Sequence, residues 1–265
     1  MANIHPTALV DPRASQDASV TVGPGAIIGP EVQIGAESVI HPFAQVVGLT
    51  RLGRGNTIHS HCVIGGPPQD KKYRGETTRL EIGDGNTFRE CCTVNTGTTQ
   101  DDGVTRIGND NWIMAYVHIA HDCQIGSHTI MANATQLAGH VSVGDWAILG
   151  GITGVHQFVR IGAHAMTGAG TTLLQDLPPY VIATGNPAAA HGVNAEGLKR
   201  RGFSAADIVL LRRAYKLIYK SGMTLSEGIA ALQDPQALDL QTHEDRSVLA
   251  PLIDFLSASG RGIVR

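Results

Sequence analysis

At 265 residues the chain is long enough to bury a sizeable core and to hold one large domain or two smaller ones. Twenty basic against twenty-three acidic residues give a formal charge of −3, too small an excess to mark a nucleic-acid binder, and 32 glycines with only 5% aromatic residues imply many tight turns around small aliphatic groups. No apolar run is long enough to span a membrane, and the N-terminus "MANIHPTALV" lacks the order of a signal peptide. Cys62, Cys91, Cys92 and Cys123 show no C-x-x-C spacing, so a reduced, cytoplasmic protein with no integral membrane segment is expected.

From Ile4 the chain advances in sixes through Val10, Gln16, Val22, Ile28, Ile34, Ile40, Val46, Leu52 and Ile58 to Ile64. After an interruption it continues at Ile82, Phe88 and Val94, and after a second it runs from Ile107 to Leu173. A strict period of six signals a parallel β-helix. Each unit supplies one short strand and one turn, three units close a triangular coil, and eighteen residues advance one coil by ~4.8 Å. The interruptions at 65–79 and 98–106 are rich in Gly, Thr and charge and read as loops leaving the coil, where binding groups are commonly carried. After "DLPPYVIATGNPA" the repeat ends. Ser204 reads as an N-cap with Asp207 three residues on, Ile208, Leu211, Tyr215 and Ile218 fall at helical spacing, and further helices are expected near 224–233 and 245–259. The domains expected are a β-helix over 1–190 and a helical domain over 191–265.

Within "YVHIAHDCQIG" the period places Ile119 inward. Steps of eighteen then stack His121, Gly139 and Gln157 in one column, with Asp122 beneath His140 in the next. Imidazole titrates near neutrality and can take a proton from an alcohol and return it to a leaving group, and an adjacent carboxylate can orient it. His5, His41, His128, His164 and His243 read as solvated surface. A metal site needs three or four converging ligands, for which His118, His121 and His140 form a possible trio, while Cys123 reads as packing.

"HIAHDC", "NATQLAGHVSV", "GGITGVHQFVRIGAHAM", "QDLPPYVIATGNPA" and "GVNAEGLKRRGF" closely resemble the acyl-carrier-protein-dependent UDP-N-acetylglucosamine O-acyltransferases that open lipid A biosynthesis. The resemblance covers essentially the whole chain, including "PPQDKKYRGETTRLEIG". It implies a homotrimer of left-handed β-helices with sites in the grooves between subunits, no cofactor or metal, and two partners: acyl carrier protein bearing a 3-hydroxyacyl group, and UDP-N-acetylglucosamine. By resemblance His121 is the general base, Asp122 supports it, and Gly139 offers a backbone N–H to the oxyanion. Asp70, Lys72, His118, His140, His156 and Gln157 match positions that hold the sugar, the pantetheine arm or the catalytic shell. Asn194, Glu196, Arg200 and Arg201 match the nucleotide end, where arginine forks suit a pyrophosphate.

The family's acyl-length ruler falls at Ala169, ~13 Å along the axis from His121, which accommodates a chain of roughly ten to fourteen carbons. Many members carry "HRGT" where this chain has "NTGT", so Asn95 and Thr96 open the way to a 3-amino nucleotide sugar. The competing function on the same scaffold is a metal-dependent lyase or hydratase of the carbonic anhydrase type, and a third reading is a non-catalytic scaffold.

Overall fold

The computed structural model describes residues 2–234, 236, 238 and 243–265, the side chains of 243–246 excepted. Two-residue strands recur every six residues, as in Trp112–Ile113, His118–Ile119, Gln124–Ile125 and Ile130–Met131. They are this short because six residues must supply both a side and a corner of the triangle. Each strand pairs in parallel with the one a coil further on: Trp112 faces Ile130, His118 faces Gln136 and Gln124 faces Ser142. Three sheets of eleven, nine and eight strands result, and the chain is a left-handed parallel β-helix with C-terminal helices. Faces one, two and three are named here for Trp112–Ile113, His118–Ile119 and Gln124–Ile125. Residues 114–117 then turn the one–two corner, 120–123 the two–three corner and 126–129 the three–one corner.

The aliphatic of each unit points into the prism. Ile58, Ile64, Phe88, Ile113, Ile119, Met131 and Leu137 are fully buried, each worth ~1.5–3 kcal/mol on burial. A one-residue slip would turn the whole series outward, so the register is strongly fixed. The corners have their own demand. From Tyr116 to His164 every sixth residue has a positive φ, including Asp122 (61°), His140 (63°) and Phe158 (64°). Left-handed backbone costs a non-glycine residue ~1–2 kcal/mol, and Asp and His are among the types enriched there. The glycine that follows many inward aliphatics has another cause: at Gly126 a Cβ would collide with the Asp145 side chain one coil on. Inside the three–one corner the buried amides of Asn56, Asn86 and Asn111 bond one to the next, and Asn111 accepts from the Thr129 amide and hydroxyl.

The interruptions leave from the two–three corner, the first with slightly tighter bounds than expected and the second shifted towards the N-terminus. Gly65 and Gly66 still belong to the strand Val63–Gly66, and pairing resumes with Arg79–Ile82. The second loop follows Thr93–Asn95 and ends at Val104–Ile107, because Arg79 pairs with Val104. The last strand, Ala189–Val193, turns back antiparallel on Val181–Thr184. It runs across residues 190 and 191, where the change from β-helix to helical segment is expected. Helices α1 (Ala195–Arg200), α2 (Ala205–Lys220), α3 (Leu225–Gln233) and α4 (His243–Ser257) follow. Capping boxes at Ser204/Asp207 and Thr224/Glu227 start α2 and α3. Leu211, Ala214 and Ile218 of α2 are buried, and the Tyr215 hydroxyl donates to the Ala190 carbonyl at 3.2 Å.

One surface expectation is overturned. His164 is half-buried in a ring stack between Trp146 and Tyr180, with Phe203 at its edge. Burial, and then the Arg201 cation, pull its pKa down to about 4. The unfolded chain therefore takes up this proton first, so the contribution to stability is complete above ~6.5 and is lost as pH falls towards about 4. The fall in melting temperature from pH 7.5 to pH 5 should be smaller in His164→Phe than in the parent; an equal fall would remove His164 from the acid response. The His243 side chain lies outside the described residues.

Candidate functional site

The two–three corner gathers the expected chemistry. His121 follows the inward Ile119 by two residues, and the left-handed turn at Asp122 brings the carboxylate back beneath its imidazole. His121 Nδ1 lies 2.8 Å from Asp122 Oδ2, with the His121 side chain 14% exposed and that of Asp122 1%. Asp122 also accepts from the Thr98 amide at 2.7 Å and the Thr98 hydroxyl at 2.6 Å, while its own N–H donates to Thr105 Oγ1 at 2.8 Å. Burial works to raise the pKa of this carboxyl but is outweighed by the hydrogen bonds from His121 and Thr98, so it is held below its ordinary value. A fixed anion under Nδ1 leaves Nε2 free to exchange a proton with a substrate.

Gly139 lies one coil above, as the eighteen-residue step predicts. A Cβ there would stand 2.5 Å from His121 Cε1 and 2.7 Å from Nε2, so the ring lies directly on the glycine. The Gly139 N–H has no acceptor among the described residues. His140 meets the His121 ring edge-on at 5.1 Å, stacks on Phe158 at 4.4 Å, and has its Nδ1 2.9 Å from Asp101 of the second loop. Gln100 ties the loops together, accepting from Lys72 Nζ at 3.0 Å and donating to Asp70 at 2.9 Å. Asp70 is held below its ordinary pKa by the Lys72 amide, then Gln100, with a smaller contribution from His121.

His118 lies on face two with Nδ1 2.7 Å from the Thr93 hydroxyl. Burial, then the neighbouring His121, lower its pKa, which leaves it neutral at pH 7. The metal trio needs correction: the groups that approach one another are His121, Asp122 and His140, without His118. Asp122 Oδ2 is already taken up by the His121 and Thr98 contacts. His156 and Gln157 are exposed one coil above Gly139, and Cys123 is fully buried as packing.

The remaining candidates sit at other corners. Asn194 caps α1, accepting from the Gly197 amide at 3.2 Å and donating to the His164 carbonyl at 3.0 Å, so both ends of its amide are used within the fold. Glu196 and Arg200 form an exposed ion pair. Arg201 lies over the Trp146 ring at 5.3 Å, at the three–one corner, and its Nη1 is buried with no hydrogen-bond partner. Ala169 is exposed at the one–two corner, beside Gly150 of the preceding coil. One chain thus puts His121, Arg201 and Ala169 on three different corners. Reading the sequence missed Thr98, Gln100, Asp101 and Thr105, because they lie in or beside a loop where the count of six gives no position.

A family profile described as UDP N-acetylglucosamine O-acyltransferase, domain 2, matches residues 176–264, and one for the bacterial transferase hexapeptide matches 105–135. The acyl-[acyl-carrier-protein]–UDP-N-acetylglucosamine O-acyltransferases of Janthinobacterium sp. (strain Marseille) and Thiobacillus denitrificans are 56% and 54% identical over 265 residues, the whole of each chain. The solved LpxA of Acinetobacter baumannii is 45% identical with a TM-score of 0.93, covering 99% of this chain and 100% of its own. The UDP-N-acetylglucosamine O-acyltransferase of Moraxella catarrhalis, with the same coverage, is 43% identical with a TM-score of 0.94.

Proposed function

The chain belongs to the acyl-[acyl-carrier-protein]–UDP-N-acetylglucosamine O-acyltransferase family, and from that membership we propose that it moves a 3-hydroxyacyl chain from acyl carrier protein to the sugar 3-hydroxyl, the first step of lipid A biosynthesis. The observation that carries this reading is an imidazole held by a carboxylate, His121 on Asp122, beside an amide N–H at Gly139 that has no acceptor among the described residues. His121 Nε2 takes the proton of the 3-hydroxyl as its oxygen bonds to the thioester carbonyl carbon. The oxyanion is received by Gly139 N–H. As the carbonyl re-forms, the C–S bond breaks and the thiolate leaves with the proton from His121. The products are the 3-O-acyl nucleotide sugar and a free pantetheine thiol, with no cofactor in the balance.

We further infer a homotrimer, because base, nucleotide arginines and ruler position occupy separate corners of one chain and can meet only when subunits lie side by side. Four free thiols suit a reducing compartment, in keeping with a cytoplasmic enzyme. Among the described residues no helix is long and apolar enough to cross a membrane. The metal-dependent lyase alternative finds no support in the relatives. The "NTGT" stretch at Asn95 and Thr96, where many members carry "HRGT", favours one second reading, acceptance of a 3-amino nucleotide sugar.

The deciding experiment is incubation of the protein with UDP-N-acetylglucosamine, or its 3-amino analogue, and a panel of 3-hydroxyacyl carrier proteins. Transfer from chains of roughly ten to fourteen carbons is expected, and no transfer from any donor would end the proposal. In the same panel Ala169→Met should move the preference to a shorter chain, since the added side chain occupies the groove floor; an unchanged ranking would place the ruler elsewhere.

Acyl carrier proteins are acidic, and Lys199, Arg200, Arg201, Arg212, Arg213, Lys216 and Lys220 face only Glu196 and Asp207 between positions 196 and 220. A cleft beside α2 sets Arg213, Lys216 and Lys220 around Leu217, Met223 and Leu238, which supports docking there. Added salt should raise the KM for the acyl donor, and Arg212→Glu with Arg213→Glu should raise it further, on the order of tenfold. Salt-independent kinetics would count against the patch.

A further inference from the structure

The end of the chain returns to the two–three corner. Ile263 and Val264 are buried, 3% and 2% exposed. The Asp176 amide donates to the Gly262 carbonyl at 3.1 Å, the Val264 amide donates to the Asp176 carbonyl at 2.8 Å, and Ser259 Oγ donates to Asp176 Oδ2 at 2.9 Å. Anchored on both sides, Arg261 extends its guanidinium over the coil above Gly139. There Nη1 donates to the Gln157 carbonyl at 2.8 Å, and Nη2 lies 3.3 Å from His156 Nδ1.

These contacts compete with another. His156 Nδ1 is also 3.1 Å from the Gln157 carbonyl, a bond it can make only as N–H. A guanidinium has donors and no acceptors, so its contact with Nδ1 needs that nitrogen bare. Arg261 already donates to the carbonyl that would draw a proton to Nδ1, which weakens that pull, and it sets an N–H against Nδ1 itself. Both effects favour the same tautomer, with the proton on Nε2.

We propose that Arg261 is a positioning residue for acyl transfer, holding His156 as an Nε2–H donor beside the His121–Gly139 column. This rests on the acyltransferase reading above, since His156 then donates to an oxygen of the bound substrate. A lysine could make one of the two contacts but not both, because its ammonium lacks the planar fork.

The test uses the full-length protein labelled with 15N-histidine, together with Arg261→Ala, Arg261→Gln, His156→Ala and the Arg261→Ala/His156→Ala pair. The imidazole 15N shifts should report His156 mainly as the Nε2–H tautomer in the parent, moving towards Nδ1–H in both Arg261 variants. Each Arg261 variant should lose about tenfold in kcat/KM, the usual scale for a charge-assisted hydrogen bond, with its melting temperature nearly unchanged. In the His156→Ala background the loss from Arg261→Ala should largely vanish, because a residue acting through another has nothing left to act on. An unchanged tautomer in both variants, or an undiminished loss in the double variant, overturns the proposal. Absence of transfer by the parent would fall on the function instead, and the tautomer would still decide the role of Arg261.

Discussion

His121→Ala is expected to lower turnover by ~10²-fold or more, the usual cost of removing a general base, while leaving assembly and melting temperature close to the parent. The side chain projects from a corner and not into the prism, where Ile119 and Cys123 are the buried neighbours. His121→Asn keeps some polarity but cannot cycle a proton, so it should fall equally far. Single-turnover acyl transfer at saturating donor and acceptor is the measurement. Turnover near the parent's would remove His121 from the chemistry and leave the Asp122–Thr98 arrangement as a structural device.

Gly139→Ala should be almost as severe, although it adds only a methyl group. The new Cβ would stand 2.5 Å from His121 Cε1 and 3.1 Å from Nδ1, so either the ring or the Gly139 backbone must move. Displacing the ring strains the 2.8 Å bond to Asp122. Displacing the backbone moves the N–H assigned to the oxyanion. Misplacing catalytic groups by about 1 Å costs on the order of 10²-fold, and the loss should appear in kcat more than in KM because the proposed mechanism uses both groups in the transition state. Gly151→Ala is a control on the same scaffold, since its nearest neighbour is a backbone oxygen at 3.4 Å. Equal losses in the two variants would show a general intolerance of methyl groups and no special fit at Gly139.

The scaffold was legible because one physical rule repeats. An inward aliphatic every six residues fixes strand, face and coil, and adding eighteen gives the neighbour above, which by itself sets His121 under Gly139. The rule says nothing where it is interrupted. Thr98, which holds Asp122 by two bonds, and Asp101, which reaches His140, lie in a loop whose path follows from its own contacts. Arg261 is 105 residues from His156, and no spacing connects them. His164 was misread for a related reason: outward on the repeat means solvated only where nothing packs on the corner, and here Phe203 and Arg201, both beyond the last coil, cover it. Helix α1, at six residues, is too short to show a period.

Both loops leave at the corner that carries His121. From Ile64 to Ile82 the chain spends eighteen residues on a step that six would make, and from Val94 to Ile107 it spends thirteen, yet every later rung is back in phase. A single inserted residue within a strand would instead tip each following aliphatic out of the prism. Mutation therefore meets two regimes along one chain. Most of the molecule is read in a frame that tolerates almost no change of length, while one corner can lengthen or shorten wherever its loops do not hold the site, as Thr98 and Asp101 do. A designer who wishes to change what this scaffold recognises therefore has the place to cut already marked at that corner.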